Sequence, residues 1–161
     1  GSEMCIRDSG LFLKCDLTFN TTIANLPQYK SGIALSDSKM IKATANEIKI
    51  MHTKCMGPDD MISSLSGGNQ QRIVLAKWLA CNLDVLILNG PTVGVDIGSK
   101  HDIHMVLQKL ANQGLGVIII SDDLPEVIQN CSRVLVIRNG KIKSEYDTQK
   151  VSEQMIIDDM M

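Results

Sequence analysis

Two short aliphatic runs do most to limit the fold. Residues 85–88 (Val-Leu-Ile-Leu) and 116–121 (Gly-Val-Ile-Ile-Ile-Ser) carry no charge and are too short for a helix. They suit buried strands of a parallel sheet, the first of them covered on both faces. Segments of helical period surround them. Residues 69–81 are apolar around most of the circumference after Arg72, so this helix should be buried on more than one side. Residues 99–113 set Ile103, Val106, Leu107 and Leu110 on one face, with Gly114 just past the end. Residues 124–130 read as a short helix. Strands alternating with helices in this way indicate an α/β fold with a parallel sheet.

The flanking segments are less regular. Downstream, residues 133–138 and 141–146 enclose Asn139-Gly140, the pair that closes a hairpin through a type I′ turn, and residues 148–161 read as a terminal helix. Upstream, residues 18–25 are β-branched and polar and open either a helix or a loop, and Pro27 and Gly32 break the chain beyond them. Residues 38–55 place Ile41, Ala45, Ile48, Met51 and Cys55 at helical spacing, and Gly57-Pro58 is the expected stop. Gly1-Ser2 ahead of Met4 reads as an expression scar, and residues 4–9 resemble translated sequencing-adapter sequence. Three parts are therefore expected: a lead of residues 1–9 outside the fold, a helical part over 10–62, and an α/β part over 63–161.

Composition narrows the function classes. At 161 residues, 44% hydrophobic and 21% charged, the chain has the make-up of one soluble globular domain or a piece of a larger one. A net charge of −2, with no basic patch interleaved with aromatics, gives no reason to expect nucleic acid. No aliphatic run approaches the about 18 residues that cross a bilayer, so membrane association would have to go through a partner. Cys5, Cys15, Cys55, Cys81 and Cys131 form no CxxC pair and are odd in number, which argues for free thiols in a reducing compartment. His101 and His104 stand at i, i+3 without a third ligand or an HExxH frame, so a solvated helix face is expected there and no metal site.

The stretch with most chemical content is Ser64-Leu65-Ser66-Gly67-Gly68-Asn69-Gln70-Gln71-Arg72. A serine before two glycines and then helix formers marks a helix N-terminus with Ser66 near the cap. The first N–H groups of such a helix lack partners within it, and the peptide dipoles place about half a positive charge there. Glycines at the approach let an anion come close. On local physics alone, an ordinary capped helix after a glycine turn is the commoner case.

The string Leu65-Ser66-Gly67-Gly68-Asn69-Gln70-Gln71-Arg72 resembles the signature motif of ABC-type ATPases, in the form typical of ATP-binding subunits of bacterial simple-sugar importers. Three further resemblances come after it in the family's order. Residues 84–92, ending Asn89-Gly90-Pro91-Thr92, resemble the Walker B strand and the loop after it. Residues 94–100 (Gly-Val-Asp-Ile-Gly-Ser-Lys) resemble the D-loop, which assigns Asp96 to it, and residues 117–126 resemble the switch strand. The resemblance implies the core of a P-loop NTPase-like ABC ATPase with part of its helical subdomain, namely the C-terminal part of a second nucleotide-binding half. It implies ATP and Mg²⁺ as cofactors of the complete transporter. It also implies a first nucleotide-binding half, membrane permease subunits and, indirectly, a solute-binding protein as partners. The expected location is the cytoplasm, peripheral on the inner face of the cell membrane, without direct insertion.

Against that pattern the hydrolytic positions are altered. The phosphate loop GxxxxGK followed by Ser or Thr occurs nowhere in the 161 residues, so truncation is expected, with the isolated chain lacking both tight ATP binding and activity. Where the family has Asp-Glu, the chain has Asn89-Gly90: Asn89 keeps a carbonyl but no charge, and Gly90 supplies no base. A general base is typically worth about 10² to 10⁴ in rate. At the switch position stands Asp122. A carboxylate there, about 6 Å from a phosphate charge at an effective dielectric of about 20, is repelled by about 3 kcal/mol. In ABC dimers the signature acts in trans, so Ser66, Gly67, Gly68, Asn69 and Gln70 are expected to grip ATP held by the other half. Two other readings stay open: a non-enzymatic dimerisation or regulatory module, and an ABC-type ATPase not tied to transport.

Overall fold

The computed structural model describes residues 10–161, so the expected lead over 1–9, with Cys5, lies outside the described residues. The described chain forms two compact units. The first runs up to Leu86 and continues over Pro91–Val117; the second comprises Ile87–Gly90 and Ile118–Met161.

The first unit is mainly helical. Residues 18–25, ambiguous in sequence, open as a helix: α1 (Leu17–Thr22) is capped by Asp16, whose side chain accepts from the Phe19 N–H, and a 3₁₀ segment succeeds it over Ile23–Tyr29. Asn20 is fully buried in α1 yet satisfied, accepting from the Phe12 N–H at 2.7 Å and donating to the Asp16 carbonyl at 2.9 Å. β1 (Lys30–Ser31) and β2 (Ala34–Leu35) form a small antiparallel pair that turns at Gly32, with φ +66°. α2 (Asp37–Ile50) is capped by Ser36. It ends well before Gly57-Pro58 because the chain turns at His52, with φ +50°, and its inward line also differs from the expected one. Thr44 and Met51 are buried, while Ile41 lies 41% exposed.

α3 (Gly67–Leu79) is the central helix of this unit. Residues 71 to 77 are buried without a break, as the all-round apolar sequence predicts, and Ile73 and Val74 join Leu11, Leu17 and Ile62 in one core cluster. Two charged side chains share this burial. The Lys77 ammonium donates to the Gly10 carbonyl and stands 5.1 Å from the Trp78 ring centre, and burial pushes its pKa down. α4 (Ile97–Asn112) buries Ile103, Val106 and Leu107, and Gly114 lies just beyond it at φ +105°. His104 is buried with them, only 5% exposed, so the expected solvated histidine face is corrected. The inward stripe of α4 is wide enough to take the position next to Ile103.

β3 (Val85–Asn89) and β4 (Gly116–Ile120) pair with each other. The Gly116 N–H donates to the Asp84 carbonyl at one end and the Gly90 N–H to the Ile120 carbonyl at the other, each at 2.9 Å, so the strands run parallel. The expectation that β3 is covered on both faces does not hold. Leu86 and Leu88 are buried, but Val85 and Ile87 are 53% and 62% exposed, because nothing in the described chain packs on that face.

In the second unit α5 (Leu124–Asn130) has the bounds expected, with Pro125 in the first turn, where its missing N–H costs nothing. β5 (Arg133–Arg138) and β6 (Lys141–Asp147) form the antiparallel hairpin, with Asn139 at φ +51° and Gly140 at φ +73° as the type I′ turn demands. α6 (Glu153–Met160) is capped by Ser152 and places Ile156 in a core with Val127, Val134 and Val136. Cys15, Cys55, Cys81 and Cys131 are all free thiols. No helix among the described residues is long and apolar enough to cross a membrane.

Candidate functional site

The tip of α3 is built from backbone and short side chains. Ser66 takes the extended conformation of an N-cap, φ −62° and ψ 157°, and is exposed. Its side chain nevertheless makes no capping hydrogen bond to the helix, although the caps of the other five α-helices described all do. Instead the Ser66 Oγ accepts from the Asn69 Nδ2 at 2.9 Å, and the Asn69 Oδ1 accepts from the Lys54 backbone N–H at 2.9 Å. Gln70 turns inward. Its amide donates to the carbonyls of Ile62 and Leu65, at 3.2 and 3.0 Å, and so pins the 3₁₀ turn Ile62–Ser64 beneath the tip. The side chains of Asn69 and Gln70 are thus occupied in support, and the Ser66 hydroxyl with the first-turn N–H groups is what the tip presents outward.

Residues 94–100, which resemble a D-loop, pack directly on this tip. Asp96 caps α4 by accepting from the Ser99 N–H at 3.0 Å. That backbone donor, then the Ser99 hydroxyl, holds the Asp96 carboxyl below its ordinary range. A Cβ added at Gly68 would lie 2.5 Å from the Ser99 Oγ, 2.7 Å from the Ser99 Cβ and 3.6 Å from the Asp96 Oδ2. Only glycine therefore lets the two motifs approach this closely. One turn further along α3, the buried guanidinium of Arg72 donates to Asp102 of α4 at 2.6 Å and to the carbonyls of Met51 and His52 at 3.2 and 2.5 Å. One side chain ties α3, α4 and the end of α2 together. Val93, just before residues 94–100, and Ile97 within them are exposed apolar residues.

Asn89, Gly90 and Asp122, where the sequence departs from the expected hydrolytic pattern, lie in the second unit. Asn89 is exposed at the end of β3, and Gly90 comes next at φ +56°, a backbone region that glycine enters freely and other residues enter at a cost. Asp122 is exposed and takes no part in the cap of α5. That role belongs to Asp123, whose carboxylate accepts from the Glu126 N–H at 3.2 Å, while Ser121 donates to the buried Glu126 at 3.1 Å. These residues offer neither a charged metal ligand at 89 nor a base at 90. Among the described residues no group of three or more His, Cys, Asp or Glu side chains is placed to hold a metal ion. The tip of α3 fits a phosphate; the end of β3 does not fit a hydrolytic centre.

Sequence reasoning missed Lys54, Ser99, Arg72 and Asp102 as parts of the site. One signal was readable: an arginine at the head of the apolar run of α3, which needs a partner once buried. Lys54 contributes through its backbone, which no sequence pattern marks.

Comparison with known proteins identifies the family and the fold. The family model described as ABC transporter matches residues 4–93, more than half of the chain. The galactose/methyl galactoside import ATP-binding protein MglA of Treponema pallidum is 39% identical over 149 residues, 92% of this chain and 30% of that protein. Its counterpart in Escherichia coli is 36% identical over 152 residues, 94% of this chain and 30% of that protein. The chain thus spans about 30% of the length of the curated relatives it matches. Among solved structures, a post-hydrolysis dimer of the ATP-binding cassette MJ0796 with ADP and Pi superposes at a TM-score of 0.70 and 22% identity. That match covers 86% of this chain and 59% of the cassette, and it shows a shared fold. With a family model matched over more than half of its length and a fold shared with a solved ATP-binding cassette, the chain belongs to the ABC transporter family, in its ATP-binding domain.

Proposed function

We propose that this chain is part of the ATP-binding subunit of a bacterial importer for a sugar or related small solute. In that subunit the tip of α3 completes an ATP site whose phosphate loop, Mg²⁺ and hydrolytic groups belong to another nucleotide-binding half. The observation that carries the reading is the state of Ser66, a cap residue exposed at a helix N-terminus that leaves its own helix uncapped. A hydroxyl and first-turn N–H groups held in this way suit a terminal phosphate arriving from outside. The galactoside-import role of the Treponema and Escherichia relatives supports import of galactose-like solutes, and the dimeric state of the MJ0796 cassette supports a partner half.

The chain's own hydrolytic positions are silent in this scheme. Asn89 can hydrogen-bond a metal-bound water but cannot neutralise the metal, and Gly90 cannot take a proton from attacking water. Permease subunits and a solute-binding protein complete the assembly, and the chain sits peripherally on the cytoplasmic face of the membrane.

The test is Gly67→Val in the full-length subunit assembled with its permease. Gly67 lies at the first helical position, beside the expected phosphate, where a branched side chain obstructs an anion. Loss of a preorganised donor at such a site costs about 10² to 10³ in rate. ATPase and transport are therefore expected to fall about a hundredfold. Wild-type rates in Gly67→Val would refute the reading and favour a dimerisation module.

A further inference from the structure

We propose that Asn69 is a positioning residue that keeps the tip of α3 uncapped and turns the Ser66 hydroxyl outward as a donor to the terminal phosphate of a nucleoside triphosphate. The proposal rests on the reading that this tip meets a nucleotide carried by another half.

A serine at the cap position ordinarily accepts from the N–H two or three residues on. Ser66 and Asn69 also have the spacing of a capping box, in which the side chain at the third helical position accepts from the cap residue's backbone N–H. Here the box is wired the other way. The Asn69 amide donates to the Ser66 Oγ at 2.9 Å, while its own oxygen accepts from the Lys54 N–H at 2.9 Å. The second bond fixes the first: with the oxygen committed to Lys54, only the NH₂ end is left to face Ser66.

This wiring has two consequences for the tip. A hydroxyl has one proton and two lone pairs. With a lone pair engaged by Asn69, the Ser66 proton points elsewhere, and Ser66 is exposed. The oxygen that would have taken up a first-turn N–H is also held away from the helix, so those donors and the positive end of the dipole stay directed at an incoming anion. Both effects set donors in place before the phosphate arrives, so no reorganisation is needed when it does. An aspartate at this position would undo them, because it would accept from Lys54 and Ser66 alike, withdraw the proton and add a negative charge beside the phosphate.

The experiment compares Ser66→Ala, Asn69→Ala, their double variant and Asn69→Asp in the full-length subunit assembled with its permease. It reads amide hydrogen exchange at residues 68 and 69, relative to intrinsic rates, and kcat/KM for ATP hydrolysis. Asn69→Ala is expected to let Ser66 cap α3, which slows exchange at both amides about fivefold, the fold-change of an ordinary cap. It is expected to lower kcat/KM about tenfold, as Ser66→Ala does, and the double variant falls no further than either single one. Asn69→Asp loses at least as much. Unchanged exchange in Asn69→Ala, losses that multiply in the double variant, or wild-type hydrolysis in Asn69→Asp alone would overturn the proposal. If exchange slows as expected but Ser66→Ala and Asn69→Ala both keep full ATPase, the wiring of the tip stands and the nucleotide reading falls.

Discussion

Gly68→Ala separates packing from helix propensity, because the two predict opposite signs. By propensity alone, alanine inside a helix gains about 1 kcal/mol over glycine, mostly because glycine has more backbone freedom to lose on folding. The structure opposes this gain. The new Cβ would lie 2.7 Å from the Ser99 Cβ and 2.5 Å from its Oγ. The hydroxyl can rotate away, but the Ser99 Cβ is fixed to the backbone of α4, so α3 and α4 must separate by about 1 Å to reach an ordinary carbon contact of about 3.5 to 4.0 Å. Overpacking of this kind costs about 1 to 3 kcal/mol, and the separation also stretches the 2.6 Å Arg72–Asp102 pair one turn away. The net expectation is a destabilisation of about 0.5 to 2 kcal/mol, or about 1 to 8 °C in Tm for a chain of this size. Urea and thermal unfolding of the chain, followed by the fluorescence of its one tryptophan, Trp78 on α3, measure this directly. Adding Ser99→Gly to Gly68→Ala removes the obstructing carbon and should recover most of the loss, less about 0.5 kcal/mol for glycine in a helix. A Gly68→Ala variant more stable than wild type, or a double variant no better than Gly68→Ala, would refute the close approach of the two helices.

The same geometry yields three further outcomes. Arg72→Met should destabilise the chain by about 2 to 3 kcal/mol, because it removes a charged donor from two backbone carbonyls and from Asp102. Asp102→Asn should cost less, since the Asp102 side chain is 55% exposed and water replaces the guanidinium; equal losses in urea unfolding would contradict this ranking. The carboxyl of Asp96 titrates lower in the folded chain than in the unfolded one, so the stability it lends is full above about pH 4 and is lost as pH falls through its depressed value. Asp96→Asn should therefore flatten the acid limb of a Tm-against-pH profile, and an unchanged limb would show that its cap carries no pH dependence. The exposed Val85 and Ile87 of β3 should make the isolated chain self-associate, with light scattering that rises with concentration and falls in Ile87→Lys; a monomer at all concentrations would count against an adhesive β3 face.

The features legible in the sequence are those that depend on neighbouring residues. The N-terminus of α3 at Ser66-Gly67, the Asn139-Gly140 turn and the bounds of α5, set by Asp123 and Pro125, all come from capping and turn chemistry within a few residues. The end of α2 did not, because it is set at a distance. Arg72, 20 residues on, takes up the His52 carbonyl where the backbone swings to positive φ, well before the Gly57-Pro58 stop that local reasoning favours. The burial of His104 and the exposure of Ile87 depend on which surfaces meet in three dimensions, and no spacing encodes that. In the candidate site the glycines were readable as an opening for an anion. The reason for two of them together was not, since Gly68 also lets α4 come close to α3 at Ser99.

A site that acts in trans and a site that hydrolyses place different demands on a chain, and restoration of the second tests whether they have come apart here. Asn89→Asp with Gly90→Glu returns the side chains the family pattern calls for, and a recovered base is worth about 10² to 10⁴ in rate. The backbone resists the second substitution, because Gly90 sits at φ +56° and a residue with a Cβ pays about 1 to 2 kcal/mol in that region, about a tenfold penalty on the restored geometry. On the proposed reading, the exposed Asp122 stays at the switch position, where its charge opposes a γ-phosphate. The restored variant of the full-length subunit should therefore gain less than tenfold in ATPase, while Gly67→Val in the same background loses about a hundredfold. A gain that exceeds the Gly67→Val loss would mean that the Asn89–Gly90 end of β3 retains a working catalytic frame, and the division of labour proposed for this chain would be wrong.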